Sequence, residues 1–148
     1  MISMATPAAV PSTPHISNWR QIAAVGLATI AAAVLANVVV YYLGRATVGY
    51  DPQFIILADV GTPIFFTVIP ATVAVLLYAA LLRFARRPAR TFAIIAAVVY
   101  VATTIPDLTY IPTAPGATIG QTAILILMHT VAAAVIVGLL IRFARPAR

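Results

Sequence analysis

Apolar residues dominate four long stretches of this chain, at residues 22–43, 62–82, 91–111 and 121–143. Each is close to the roughly 20 residues that a helix needs to cross a hydrocarbon core. Small and polar side chains recur within them every three or four positions, the period of a helix face. In the first stretch this face holds Gly26, Thr29, Ala33, Ala36 and Asn37. In the second it holds Pro63, Thr67, Pro70, Ala71, Ala74 and Tyr78. In the third it holds Ala93, Ala96, Ala97, Tyr100, Thr103, Thr104 and Asp107, and in the fourth Thr122, His129, Ala132 and Ala133, with Gly138 on its flank. The remaining faces are Val, Leu and Ile, suited to lipid. Small residues let helices approach closely in a bilayer, so the four faces are expected to meet in a bundle.

Local signals refine these spans. Ser17 and Asn18 can cap the first helix, and Trp19 and the pair Tyr41–Tyr42 lie where interfacial aromatics belong. Pro63 falls in a first turn, where it is tolerated. Pro70 lies inside the second span and predicts a kink. The third span is apolar to Ile105 and then meets Pro106 and Asp107. It is expected to end or kink near Pro106, with its outer end partly wet. The connecting stretch 44–61 contains DPQFIILAD, whose apolar centre suits either lying on the membrane or folding over the bundle as a lid. The predicted fold is all-α: a four-transmembrane-helix bundle over residues 21–145.

Composition agrees with a bilayer setting. The 148 residues are 63% hydrophobic and 8% charged, against about 45–50% and 25% in soluble domains. One compact bundle fits this length, with no room for a separate soluble domain. Residues 1–20 are rich in Pro, Ser, Thr and Ala and lack the basic and apolar regions of a signal peptide. They are expected to form a flexible cytoplasmic tail, with the first span kept in the mature protein. The absence of Cys excludes disulfides, thiol redox chemistry and Cys-based metal sites.

Charge sets the expected orientation. All nine basic residues are Arg. Arg20, Arg83, Arg86, Arg87, Arg90, Arg142, Arg145 and Arg148 flank the spans on one side, and Arg45 lies on the other. Basic flanks stay cytoplasmic, which places both termini inside, in a plasma (inner) membrane, and puts Asp51, Asp59 and Asp107 on or near the outer side. The net charge of +6 therefore reads as anchoring to lipid headgroups by Arg83, Arg86, Arg87, Arg90, Arg142 and Arg145, and not as a nucleic-acid surface. RFARRPAR at 83–90 follows the second span and RFARPAR at 142–148 follows the fourth. The repetition fits two tandem helical hairpins; it also fits two independent Arg anchors.

The candidate chemistry lies inside the spans. From the rise of a helix, Asn37 lies about 9 Å from the outer end of its span and His129 about 12 Å in from Gln121. With Thr67, Thr103 and Asp107 they outline a polar pocket in the outer half of the bundle. Ionisable residues inside a span are functional candidates, and a His–Asp pair can relay a proton or orient an imidazole. The same residues equally suit plain packing, with His129 bonded to a neighbouring helix and Asp107 at a helix end. No catalytic set is complete. Bis-His haem would need a second His, and His15 lies in the tail. One His and one Asp are too few for zinc. The Ser residues, at positions 3, 12 and 17, are all in the tail, and no Gly-rich phosphate loop or membrane Glu is present. The inner halves of the stripes are too apolar for a continuous water path. No cofactor or metal is expected.

Asn37, Pro63, Pro70, Pro106, Asp107, Met128 and His129, with the run LMHTVAAAVIVGLL, resemble a family of small bacterial membrane proteins, domain of unknown function 6069. The resemblance covers roughly residues 20 to 145. It implies the four-helix architecture and draws attention to Asp107 and His129, and it implies no reaction. The expected function is an accessory or scaffold subunit, or a binder of a small lipophilic ligand in the outer-half pocket. The alternative is a proton-coupled transporter or membrane enzyme using Asp107 and His129. Expected partners are membrane lipids and a larger membrane complex, or a homo-oligomer pairing through Ala134-x-x-x-Gly138.

Overall fold

The computed structural model describes residues 19–144. Four long helices, each long and apolar enough to cross a membrane, carry the fold. They are α1 (Trp19–Thr47), α3 (Gly61–Phe84), α4 (Pro88–Thr109) and α5 (Ile119–Phe143). A single-turn helix, α2 (Ile55–Ala58), joins α1 to α3, and a 3-10 turn (Ile111–Thr113) follows α4. No strand occurs among the described residues. The proposed caps Ser17 and Asn18, the tail with His15, and Arg145 and Arg148 lie outside the described residues.

The helices alternate in direction around a ring, α1 beside α3, α3 beside α4, and α4 beside α5, which returns to α1. The α1–α5 and α1–α3 contacts are the most extensive, and α3 and α4 are the most loosely packed neighbours. One end of the bundle carries Arg20, the α3–α4 turn with Arg83, Arg86, Arg87 and Arg90, and Arg142; the other carries the two longer connections. These are termed the Arg end and the loop end.

Two apolar clusters fill the interior. At the Arg end Ala33, Ala71, Tyr78, Phe92, Ile136 and Leu140 pack together, with the Tyr78 and Phe92 rings edge to face at 4.9 Å. At the loop end Val40, Tyr41, Phe54, Leu57, Ile111, Leu125 and Met128 form the second. The small-residue faces of α1 and α3 are buried as expected, at Gly26, Thr29, Ala33 and Asn37 and at Pro63, Thr67 and Ala71. On α5 Thr122 is buried as expected, but the rest of the buried face is larger than expected. Its buried residues include Leu125, Met128, Ile136 and Leu140, while Gly138 is exposed. Large side chains on α5 fill the hollows that small residues leave on α1. A stripe of small residues on every helix would leave voids, and interiors pack without them.

Two further expectations change in detail. Pro106 does not end the third span; α4 continues to Thr109 and closes with a bond from the Tyr110 amide to the Pro106 carbonyl (2.9 Å). A Pro late in a helix deletes one bond, here to the Ala102 carbonyl, and leaves few others downstream to disturb. At that end Asp107 is buried at 7% exposure, while Leu108, Thr109 and Tyr110 beside it are exposed. Of the two readings for 44–61, the structure shows the fold-over. Phe54 and Leu57 are 1% and 0% exposed. Tyr50 donates to the Tyr41 carbonyl at 2.7 Å, and Tyr41 donates to the Leu57 carbonyl at 3.1 Å. Gly116 (φ +72°) brings the second connection against this cap, where a Cβ would lie 2.8 Å from the Phe54 amide nitrogen.

The two hairpins finish alike. Arg83 lies over the Phe84 ring at 5.6 Å and Arg142 over Phe143 at 5.7 Å, within cation–π range. The Ala85 and Ala144 amides then cap Leu81 and Leu140.

Candidate functional site

Between the two apolar clusters lies a polar layer. On α1, Asn37 sits one turn from both Ala33 and Tyr41, facing α3. Its Nδ2 donates to Thr67 Oγ1 at 2.8 Å. Thr67 in turn donates to the Pro63 carbonyl at 2.7 Å, one turn earlier on α3. A Thr hydroxyl bonded back to its own helix is the ordinary choice where no other acceptor is near, and it turns the oxygen's lone pair toward Asn37. Asn37 Oδ1 receives no donor although the residue is 5% exposed.

On the opposite wall, α4 and α5 bring Asp107 and His129 together. His129 Nδ1 lies 3.0 Å from Asp107 Oδ2 and 3.1 Å from the Leu125 carbonyl oxygen. Only the carbonyl is aligned for a hydrogen bond, and Oδ2 is left without a donor. The Asp107 contact is therefore one of proximity and charge. A carbonyl can only accept, so the bond to Leu125 assigns the hydrogen to Nδ1; in the neutral ring Nε2 then keeps its lone pair. The His129 side chain is 41% exposed along the cleft between α3 and α4.

All five residues singled out from the sequence, Asn37, Thr67, Thr103, Asp107 and His129, line one cavity of about 470 Å³. Its other walls are apolar, among them Ile56, Phe66, Ile69, Met128 and Ile136. Thr103 stands at the rim, exposed, with its hydroxyl donating to the Val99 carbonyl at 2.9 Å. A narrower cleft of about 170 Å³ continues toward the Arg end between Pro70, Val73, Val99 and Val137, and shares His129 and Thr103 with the first. Sequence reasoning missed Ile56 and Ile111, which cover the cavity at the loop end; no periodic signal marks them. It also missed the box Thr118–Gln121 that starts α5, whose spacing was readable. Among the described residues, no third His, Cys, Asp or Glu joins Asp107 and His129 as a metal ligand. Arg83, Arg86, Arg87, Arg90 and Arg142, expected from the sequence to anchor to headgroups, are exposed and do not line the cavity.

A family model, described as a family of unknown function (DUF6069), matches residues 17–146. The chain belongs to this family. No curated protein and no solved structure matches it. The DUF6069 match spans the four long helices, so the cavity and every residue lining it fall inside the family's extent.

Proposed function

We propose that this DUF6069 protein is a multi-pass protein of the plasma membrane, with both termini in the cytoplasm, that holds a small lipophilic ligand in the cavity. The observation that carries the reading is one volume of about 470 Å³, apolar on most of its walls, on which five polar residues from four helices converge. Small-molecule sites are commonly about 300–1,000 Å³, apolar, with a few placed polar groups. A merely structural polar layer would be closed by packing; this one opens sideways between α3 and α4. Binding is the role that this lining supports: mostly apolar walls with a few polar side chains. Native mass spectrometry of protein purified gently from its own membrane tests this. A bound species of fixed mass is expected, and Thr103→Phe at the rim should displace it while the helical spectrum is unchanged. Co-purification of a larger membrane protein alone would favour the accessory-subunit role instead.

The 3.0 Å approach of His129 to Asp107 supports a second reading, in which the pair moves a proton during transport or catalysis. Reconstituted protein carrying a lumenal pH dye would then show proton movement that His129→Gln abolishes. Proton movement unchanged in His129→Gln would remove this reading.

A further inference from the structure

We infer that the cavity selects amphiphiles whose head is a hydrogen-bond-donating cation, a lipophilic amine, and admits them sideways from the bilayer. The inference rests on the ligand-binding reading above and names its ligand class.

Most of the hydrogens available at the site are already committed. Thr67 donates to the Pro63 carbonyl, Thr103 to the Val99 carbonyl and His129 Nδ1 to the Leu125 carbonyl. One hydrogen of the Asn37 amide goes to Thr67. What remains is mainly lone pairs. Asn37 Oδ1 and Asp107 Oδ2 are buried without donors, on residues 5% and 7% exposed, and His129 Nε2 is a further acceptor in the neutral ring. Pro70, on the same wall, lacks the N–H that would bond the Phe66 carbonyl. Buried acceptors without donors are costly, and a ligand that brings donors removes the cost. An alkylammonium brings three.

Charge points the same way. No Arg lines the cavity. Its titratable groups are Asp107 from α4 and His129 from α5; α1, α2 and α3 contribute none. A carboxylate among apolar walls calls for a counter-charge. Protonated His129 supplies one, and a ligand ammonium supplies another.

The route follows from what is closed. Ile56 and Ile111 cover the loop end, and Phe92, packed on Tyr78, lies at the Arg end of the narrower cleft. The rim residues Phe66, Ile69 and Thr103 are exposed between α3 and α4. The mouth therefore opens where the bilayer lies against the bundle, and an acyl tail can follow the narrower cleft toward the Arg end.

The test uses the full chain in phosphatidylcholine nanodiscs, with dodecylamine, dodecanol, dodecyltrimethylammonium and dodecanoate as probes. Saturable binding is read as the difference between wild type and Thr103→Phe. Dodecylamine should bind, and the other three should be weaker by about tenfold or more, the worth of one charge-assisted hydrogen bond. Asp107→Asn, which keeps the shape of the side chain, should remove most of the preference. Equal binding of all four heads at a site blocked by Thr103→Phe would overturn the amine selectivity and leave the lipophilic-ligand reading standing. No binding sensitive to Thr103→Phe, with the fold intact by circular dichroism, would overturn both.

Discussion

Asn37 and Thr67 lie thirty residues apart and share a 2.8 Å hydrogen bond in the bundle interior. In lipid the unfolded reference state also finds partners, so such a bond contributes modestly, about 0.6 kcal/mol on average and up to about 1.7. Truncating one partner is a different experiment from removing both. Thr67→Val takes the acceptor from a buried amide; Asn37→Leu with Thr67→Val leaves neither group unsatisfied. The double-mutant cycle should therefore show a positive coupling of about 0.5–1.7 kcal/mol, measured by reversible unfolding in mixed micelles. Zero coupling would mean that the bond is not formed in the bilayer. This pair was legible in the sequence because both residues are polar, lie inside apolar spans and fall on the small-residue faces. The contact of Asp107 with His129 was only half legible. The sequence placed both residues in one half of the bundle, yet the rotation of α5 is set by Leu125, Met128 and Ile136, whose size carries no phase signal of its own.

At the scale of elements, the segment between α1 and α3 is the part least readable in advance. DPQFIILAD has the apolar content of a surface helix and of a buried plug alike. What decides between them is two backbone approaches that the sequence does not advertise: Gly44, where any Cβ would strike the Tyr50 hydroxyl and Ile124, and Gly116, which needs a positive φ. The Tyr50 hydroxyl is the latch. Burial, and secondarily the nearby Tyr41, push its pKa from 10 up to about 12. The folded-state value is raised, so the latch contributes fully below about pH 10 and its contribution is lost as pH rises toward 12. Tyr50→Phe should lower stability near neutrality by about 1 kcal/mol, one hydrogen bond, and should remove this group's share of the loss between pH 10 and 12. Gly44→Val should act more strongly, because it displaces Tyr50 and Ile124 together. Hydrogen exchange at residues 50–58, expected to rise in both variants, checks the two against each other; unchanged exchange would show that the cap holds by Phe54 and Leu57 alone.

For the whole molecule, four apolar stretches of adequate length predict four helices because a bilayer leaves few other structures available. Helix order around the ring, and the loose seam between α3 and α4 that becomes the cavity mouth, depend on side-chain sizes summed over all four helices, which no single stretch reveals. Orientation depends on neither. It rests on Arg placement, eight against one, and basic flanks resist translocation where loops are short. The chain contains no Cys, so single cysteines report topology without background. Arg86→Cys lies in the exposed α3–α4 turn, and Thr113→Cys lies in the exposed turn after α4. In intact cells a membrane-impermeant maleimide should label Thr113→Cys and spare Arg86→Cys until the membrane is opened. The reverse pattern would place the Arg end outside. The proposed ligand site would survive such a reversal, since the cavity is lined by Phe66, Ile69 and Thr103 at the α3–α4 seam, which runs along the bundle's side; only the leaflet proposed to supply the ligand would change.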